Sequence, residues 1–145
     1  MKNIVYTAHV MWAQIDANQH MRHSAYADFG AQARMALLES IGLNSDIFLK
    51  KKLGPILFRE ELVYLKEINM NEKISLSCEL VKCAKDGSKW SIKHHVYNNK
   101  EELSAIITVD GAWIDIVKRK LTALPQDILM AFMRIPKSED YSTLP

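Results

Sequence analysis

The sequence predicts an α+β domain in which one long helix is wrapped by a curved antiparallel sheet. Three observations lead there. Ala25–Leu43 repeats apolar or small residues at helical spacing, and no other stretch does so over that length. Most of the chain after Gly54 either alternates apolar and polar residues or runs apolar between turn signals. The helical stripe also contains Gly30 and Ala33, small residues that let another element approach the helix backbone at a cost in helix propensity.

The elements follow in order. Ile4–Trp12 suits an opening strand. Ser24 offers an N-cap for the helix, whose stripe is Tyr26, Phe29, Gly30, Ala33, Leu37 and Ile41, and Gly42 is a C-terminal stop. Asn44–Gly54 reads as a short helical turn capped by Asn44 or Ser45. Gly54–Ile68 is β-rich. Ile74, Leu76, Cys78 and Leu80 alternate with Lys73, Ser75, Ser77 and Glu79, and Lys85–Ser88 is a hairpin turn. Trp90, Ile92, His94 and Val96 alternate in the next strand, and Asn98–Lys100 turns the chain. Leu103–Val117 is apolar on both faces, so that strand is central and covered twice. Pro125 starts a short terminal helix, and Pro136–Pro145 reads as a loose tail. After the helix the strands read as a meander. One long helix leaves part of such a sheet uncovered, so a homo-oligomer, dimer or tetramer, is expected.

Composition bounds the function. The 145 residues fit a single domain, 1–145, and 48% apolar with 25% charged residues is the balance of a soluble globular protein. Nineteen basic against seventeen acidic residues leave +2, which gives no electrostatic footprint for nucleic acid. The N-terminus turns polar too soon for a secretion signal, and no apolar run is long enough to span a bilayer. Cys78 and Cys83 fall on opposite faces of one predicted strand, which argues against a disulfide. The expectation is a cytoplasmic protein with no membrane partner.

The chemistry concentrates just before the long helix. Asp16, Asn18 and His20 stand at alternate positions there. A helix N-terminus carries free N–H groups and a partial positive charge, so N–H groups near His23, Ser24 and Ala25 could hold a carbonyl oxygen as it becomes an oxyanion. Asp16 could attack, or activate water. Asn18 could orient the water, and His20 could donate a proton. A thioester needs little more, because its thiolate leaves without strong acid assistance: a free thiol has a pKa near ~8.5. No metal and no cofactor is required, coenzyme A entering only as part of a substrate. Tyr26 and Phe29 are placed to line the acyl side. On spacing alone the competing explanation carries more weight: Asp, Asn and His are common builders of turns and helix starts.

The run DANQHMRHSAYADFGAQAR resembles the signature of hotdog-fold thioesterases, the 4-hydroxybenzoyl-CoA thioesterase and YbgC-like group. These carry an Asp in a D-x-x-x-x-V loop, then a helix reading roughly Y-x-x-F-x-x-A-R. Asp16 matches the Asp, and Tyr26, Phe29, Ala33 and Arg34 match the helix. Asn18–His20 is similar to the N-Q-H-V-N-N element of plant-type acyl-ACP thioesterases. The resemblance implies a hotdog fold of five or six strands, a homodimer or tetramer, and hydrolysis of an acyl thioester at a subunit interface. Four departures stand out. Met21 replaces the Val, Arg22 and His23 replace two Asn residues, Gln19 replaces a Gly, and Ala31 stands where many bacterial relatives have Glu.

Other residues have plainer readings. Lys50–Lys52 and Lys118–Lys120 suit solvated turns; the sharper alternative is contact with coenzyme A phosphates, through Lys50, Lys51, Lys118 and Arg119. Trp90, Trp113 and Phe58 read as core. His94 and His95 point to opposite faces, Arg34 suits a structural ion pair, and Cys78 suits a small core hydrophobe. Two rival functions remain. A hotdog enoyl-thioester hydratase carries D-x-N-P-x-H, one residue longer than Asp16 to His20 and with a Pro absent here. A non-catalytic acyl-CoA or acyl-ACP binding module usually lacks the acid before the helix.

Overall fold

Alternating side chains build a sheet, and the helical stripe gives that sheet something to wrap. In the computed structural model, which describes residues 2–145, β1 (Ile4–His9) leads through a 3-10 turn (Trp12–Gln14) into α1 (His23–Ser40) and α2 (Ser45–Lys51). There follow β2 (Leu53–Tyr64), β3 (Lys73–Ser77), β4 (Glu79–Ala84), β5 (Lys89–Tyr97), β6 (Leu103–Asp115), β7 (Lys120–Leu121), α3 (Gln126–Phe132) and β8 (Lys137–Leu144). Together they form the hotdog arrangement, a curved sheet around α1.

The predicted stripe is the buried face. Tyr26, Phe29, Gly30, Ala33 and Leu37 are all buried, and Ile41 is half-buried past the helix end. A fully buried Phe or Leu contributes roughly 1.5–3 kcal/mol. Gly30 is the point of closest approach: a Cβ there would stand 3.2 Å from Ile107 Cδ1 and 3.7 Å from His94 Cδ2. Gly42 ends the helix in the left-handed region at φ 85°, and Asn44 caps α2 by accepting from Ile47 N. Ser24 is not the N-cap of α1. The cap is Arg22, without a side-chain bond, and Ser24 Oγ instead accepts from Arg22 Nε at 2.9 Å.

Five other expectations are corrected. The meander holds for β3/β4, β5 and β6, but β2 pairs with β6 and not with β3, so the chain crosses the molecule between Tyr64 and Lys73. The predicted Lys73–Leu80 strand is one ribbon bent at Cys78: β3 and β4 both pair with β5, so the segment count rises to eight. A register shift between Leu80 and Lys82 turns Cys83 back to the core face, where it sits opposite Trp90. Both thiols are therefore buried and free, and burial raises their pKa values to about 12 for Cys78 and about 11 for Cys83. The expected loose tail is β8, which pairs parallel to β4. Its period is polar on both sides, which hides an edge strand from pattern reading. Phe58 is 59% exposed on β2 rather than core, whereas Trp90 and Trp113 are buried as expected.

His94, fully buried on β5, ties the layers together. Its Nδ1 lies 2.8 Å from Ser77 O, and its Nε2 3.1 Å from Arg34 Nη1. A guanidinium only donates, so Nε2 accepts and Nδ1 carries the proton. Arg34 thus meets a neutral ring and forms no ion pair among the described residues, unlike its expected role. Burial is the main cause that lowers the His94 pKa from 6.5 to about 4, with the bond to Ser77 opposing it and Arg34 adding to it. As pH falls below about 6.5 the unfolded chain takes up this proton before the folded one. Stability is lost from there down to about 4, and the loss levels off below. At about 1.4 kcal/mol per pKa unit the effect is roughly 3 kcal/mol. Urea midpoints should fall steeply between pH 6.5 and 4 in the wild type and much less in His94→Gln; equal slopes would place the acid sensitivity elsewhere.

Candidate active site

The loop between the 3-10 turn and α1 is shaped by its own acid. Asp16 Oδ1 accepts from Asn18 N at 2.8 Å and from His20 N at 3.1 Å. Asp16 N donates to His20 O at 2.8 Å, and Gln19 stands at the bend with φ 67°. Outside bonds fix the loop: Met21 N donates to Ile68 O at 2.7 Å, Arg22 N to Gln14 O at 2.8 Å, and the Arg22 guanidinium to Ala13 O. The turn-building function of Asp16 is therefore real. It uses one carboxylate oxygen.

This loop, the first turn of α1 and the end of β2 enclose a groove of about 330 Å³. Asp16, His20, His23 and Tyr26 line it, facing Tyr64 and the Leu65–Glu67 segment. Tyr26 and Tyr64 meet edge to face at 5.1 Å between ring centres, and Tyr64 Oη donates to His23 O at 3.3 Å. Burial above all, then Tyr64 and Asp16, push the Tyr26 phenol up to about 12, so it stays protonated near neutral pH. Of the three N–H groups considered for an oxyanion, that of Ala25 already donates to Arg22 O at 3.0 Å, while those of His23 and Ser24 have no backbone acceptor among the described residues.

The remaining sequence candidates lie elsewhere. Asn18 is exposed and outside the groove lining, and it serves the loop through its backbone N–H. Phe29 is core, one turn too deep to reach the groove wall. Lys50, Lys51, Lys118 and Arg119 gather at one end of the molecule, where Ile116 N donates to Lys52 O at 3.0 Å and Lys51 Nζ lies 3.7 Å from Asp127. That end and the groove are separated by the 12-residue length of β2, about 40 Å if fully extended at ~3.3 Å per residue. Tyr64, Lys66 and Glu67 are groove residues that sequence reasoning missed. The available signal was the point where the apolar run Leu62-Val63-Tyr64-Leu65 gives way to Lys66-Glu67.

With fold and groove described, similarity to known proteins becomes informative. Residues 10–132 match the family model of the thioesterase-like superfamily. The chain belongs to that superfamily, and its class is that of the thioester hydrolases. A hypothetical protein from Staphylococcus aureus, solved in complex with CoA, superposes with a TM-score of 0.83 at 16% identity, covering 100% of this chain and 90% of its own. A DHNA-CoA thioesterase from the same organism gives 0.80 at 19% identity, covering 89% and 87%. The 1,4-dihydroxy-2-naphthoyl-CoA thioesterase from Synechocystis gives 0.78 at 14% identity, covering 88% and 93%. No curated protein matches the chain by sequence. No described helix is long and apolar enough to cross a membrane.

An Asn at position 16 can keep the acceptor that holds the loop, whereas Ala cannot. Asp16→Ala should cost about 1–2 kcal/mol in chemical denaturation and Asp16→Asn less than half of that. Equal losses would show that the loop is held by other bonds.

Proposed function

We propose that the protein hydrolyses an acyl-CoA thioester in the groove between the Asp16 loop and the first turn of α1. The observation that carries this reading is the division of labour within one carboxylate. Asp16 Oδ1 is held by two backbone N–H groups, and no donor among the described residues is bonded to its other oxygen, on a residue that lines the groove. In the proposed mechanism the thioester carbonyl points at the N–H groups of His23 and Ser24, which take the charge of the developing oxyanion. Asp16 removes a proton from the attacking water, or attacks the carbonyl itself, with the same placement serving both routes. His20 and the protonated Tyr26 stand beside the reacting centre as hydrogen-bonding groups. The thiolate of coenzyme A leaves; attack by water frees the acid directly, whereas attack by Asp16 leaves an acyl–Asp16 anhydride that a water molecule then cleaves to acid and free carboxylate. CoA in the complex of the Staphylococcus aureus relative supports it as the thiol half.

The active form is proposed to be a homodimer. β2 pairs with β6 on one edge only, and Leu57, Phe58, Val63 and Leu65 are exposed along it. Two such edges paired antiparallel about a twofold axis would bring the partner's basic end beside this groove. That arrangement gives the basic cluster a use that it lacks within one protomer, the phosphates of coenzyme A.

A second reading has one observation in its favour. The bonds at Oδ1 are those of a turn-builder, as a non-catalytic acyl-CoA binding module would also need.

Thiol release from a panel of acyl-CoA and acyl carrier protein thioesters, followed with a chromogenic thiol reagent, separates the two. Asp16→Asn should keep its fold and oligomeric state and lose a factor of about 10²–10⁴ in kcat. Equal rates in both proteins, or no release from any thioester, would favour the binding module. In the same assay Lys118→Glu with Arg119→Glu should raise KM for acyl-CoA about tenfold or more at unchanged kcat; an unchanged KM would remove the basic end from the site.

A further inference from the structure

A second cavity lies under the other half of α1. It holds about 190 Å³, between α1, the start of β2 at Pro55 and Leu57 (the edge proposed above to meet a partner), β5, β6 and the end of α3. Met35, Leu38, Trp90, Trp113 and Phe132 form much of its wall, and the one charged lining residue is Arg34. Arg34 lies eight residues along α1 from Tyr26, about 12 Å at ~1.5 Å per residue, and the two cavities share no lining residue.

Three features of this wall require explanation together. The half-buried Arg34 guanidinium has five N–H donors, and its one side-chain partner is the neutral His94 ring. No carboxylate lies within ion-pair distance of it among the described residues, and Glu60 acts on it only through space. The two buried side-chain polar atoms without an acceptor, among the described residues, are Trp90 Nε1 and Trp113 Nε1, and both rings belong to this wall. Each orphaned donor costs roughly 1–3 kcal/mol, and a desolvated cation without a counter-charge costs more. Those two indole nitrogens are themselves sealed from the cavity, so the polar group its wall offers is the Arg34 cation, and an apolar chamber of that kind is complementary to a ligand with an apolar body and an anionic acceptor.

We propose that this cavity binds a carboxylic acid whose apolar body is about the size of one ring or a chain of six to eight carbons, with Arg34 holding the carboxylate. Size sets the body: an apolar protein cavity of about 150 Å³ takes benzene, and this one is somewhat larger at about 190 Å³. A nucleotide or the whole of coenzyme A does not fit that volume. An inorganic anion would match Arg34 and leave the apolar walls bare. Carboxylate fits the planar fork of a guanidinium and accepts two of its hydrogen bonds at once. A free acid is also what thioester hydrolysis releases, so in the enzyme proposed above this would be a product site; that link, unlike the binding, rests on the hydrolytic reading.

Two of the three tryptophans wall the cavity, which supplies a direct readout. Octanoate, titrated at pH 7.5 with no thioester present, should change the intrinsic fluorescence saturably. Octanamide, of the same length without the charge, should bind at least tenfold more weakly. Arg34→Met should abolish the difference between the two ligands, and Ala31→Phe, at the exposed rim, should weaken both. Equal affinity for octanoate and octanamide in the wild type, no saturable change with octanoate, or discrimination that survives Arg34→Met would each overturn the proposal. None of these readouts depends on turnover, so a catalytically silent Asp16 leaves them interpretable.

Discussion

The approach of α1 to the sheet at Gly30 is the constraint on which the rest depends. With no Cβ at that position the helix settles onto Ile107 and His94, close enough for Arg34 to reach the buried imidazole. His94 in turn holds Ser77 O, next to the bend that divides β3 from β4. A Cβ there would press on the end of the Ile107 side chain, so the glycine favours this close packing. The N-terminal turn meets the end of β2 and closes the groove around Asp16. Along the C-terminal half, Arg34, Leu37 and Leu38 line the second cavity.

The two ends of this helix are polarised differently. At the first turn, Asp16, His20 and His23 line an open groove. Three turns on, the surroundings are apolar and hold a half-buried cation. A charge there needs a permanent partner, and within the described protein Arg34 has only a neutral one. Burial keeps the thiols of Cys78 and Cys83 protonated as well.

Much of the fold was legible because its signals are local. The α1 stripe, the Gly42 stop, the Asn44 cap and both hairpin turns depend on neighbours within a few residues. The errors share a different origin. The place of β2 beside β6, the bend at Cys78 and the return of Cys83 to the core come from pairing between distant segments, which period counting does not see. β8 was missed because a polar edge strand has the composition of a loop. At the site, Asp16, His20, His23 and Tyr26 were readable because they adjoin one helix start. Tyr64, Lys66 and Glu67 arrive from a strand dozens of residues later, and Asn18 faced outward for reasons set by the tight turn at Gln19.

β8 also bears on how the chain is made. It covers the outer edge of β4, yet Lys137 lies 53 positions after Ala84 (137 minus 84). During synthesis that edge stays open while β5, β6 and α3 are still emerging, with Leu80 and Val81 near an unpaired backbone ladder. A nascent chain that stalls in this interval presents a sticky template to its neighbours. The polar, charge-rich composition of Lys137–Leu144 then has a use beyond the mature fold: the segment that seals the edge is itself a poor seed for further strand addition.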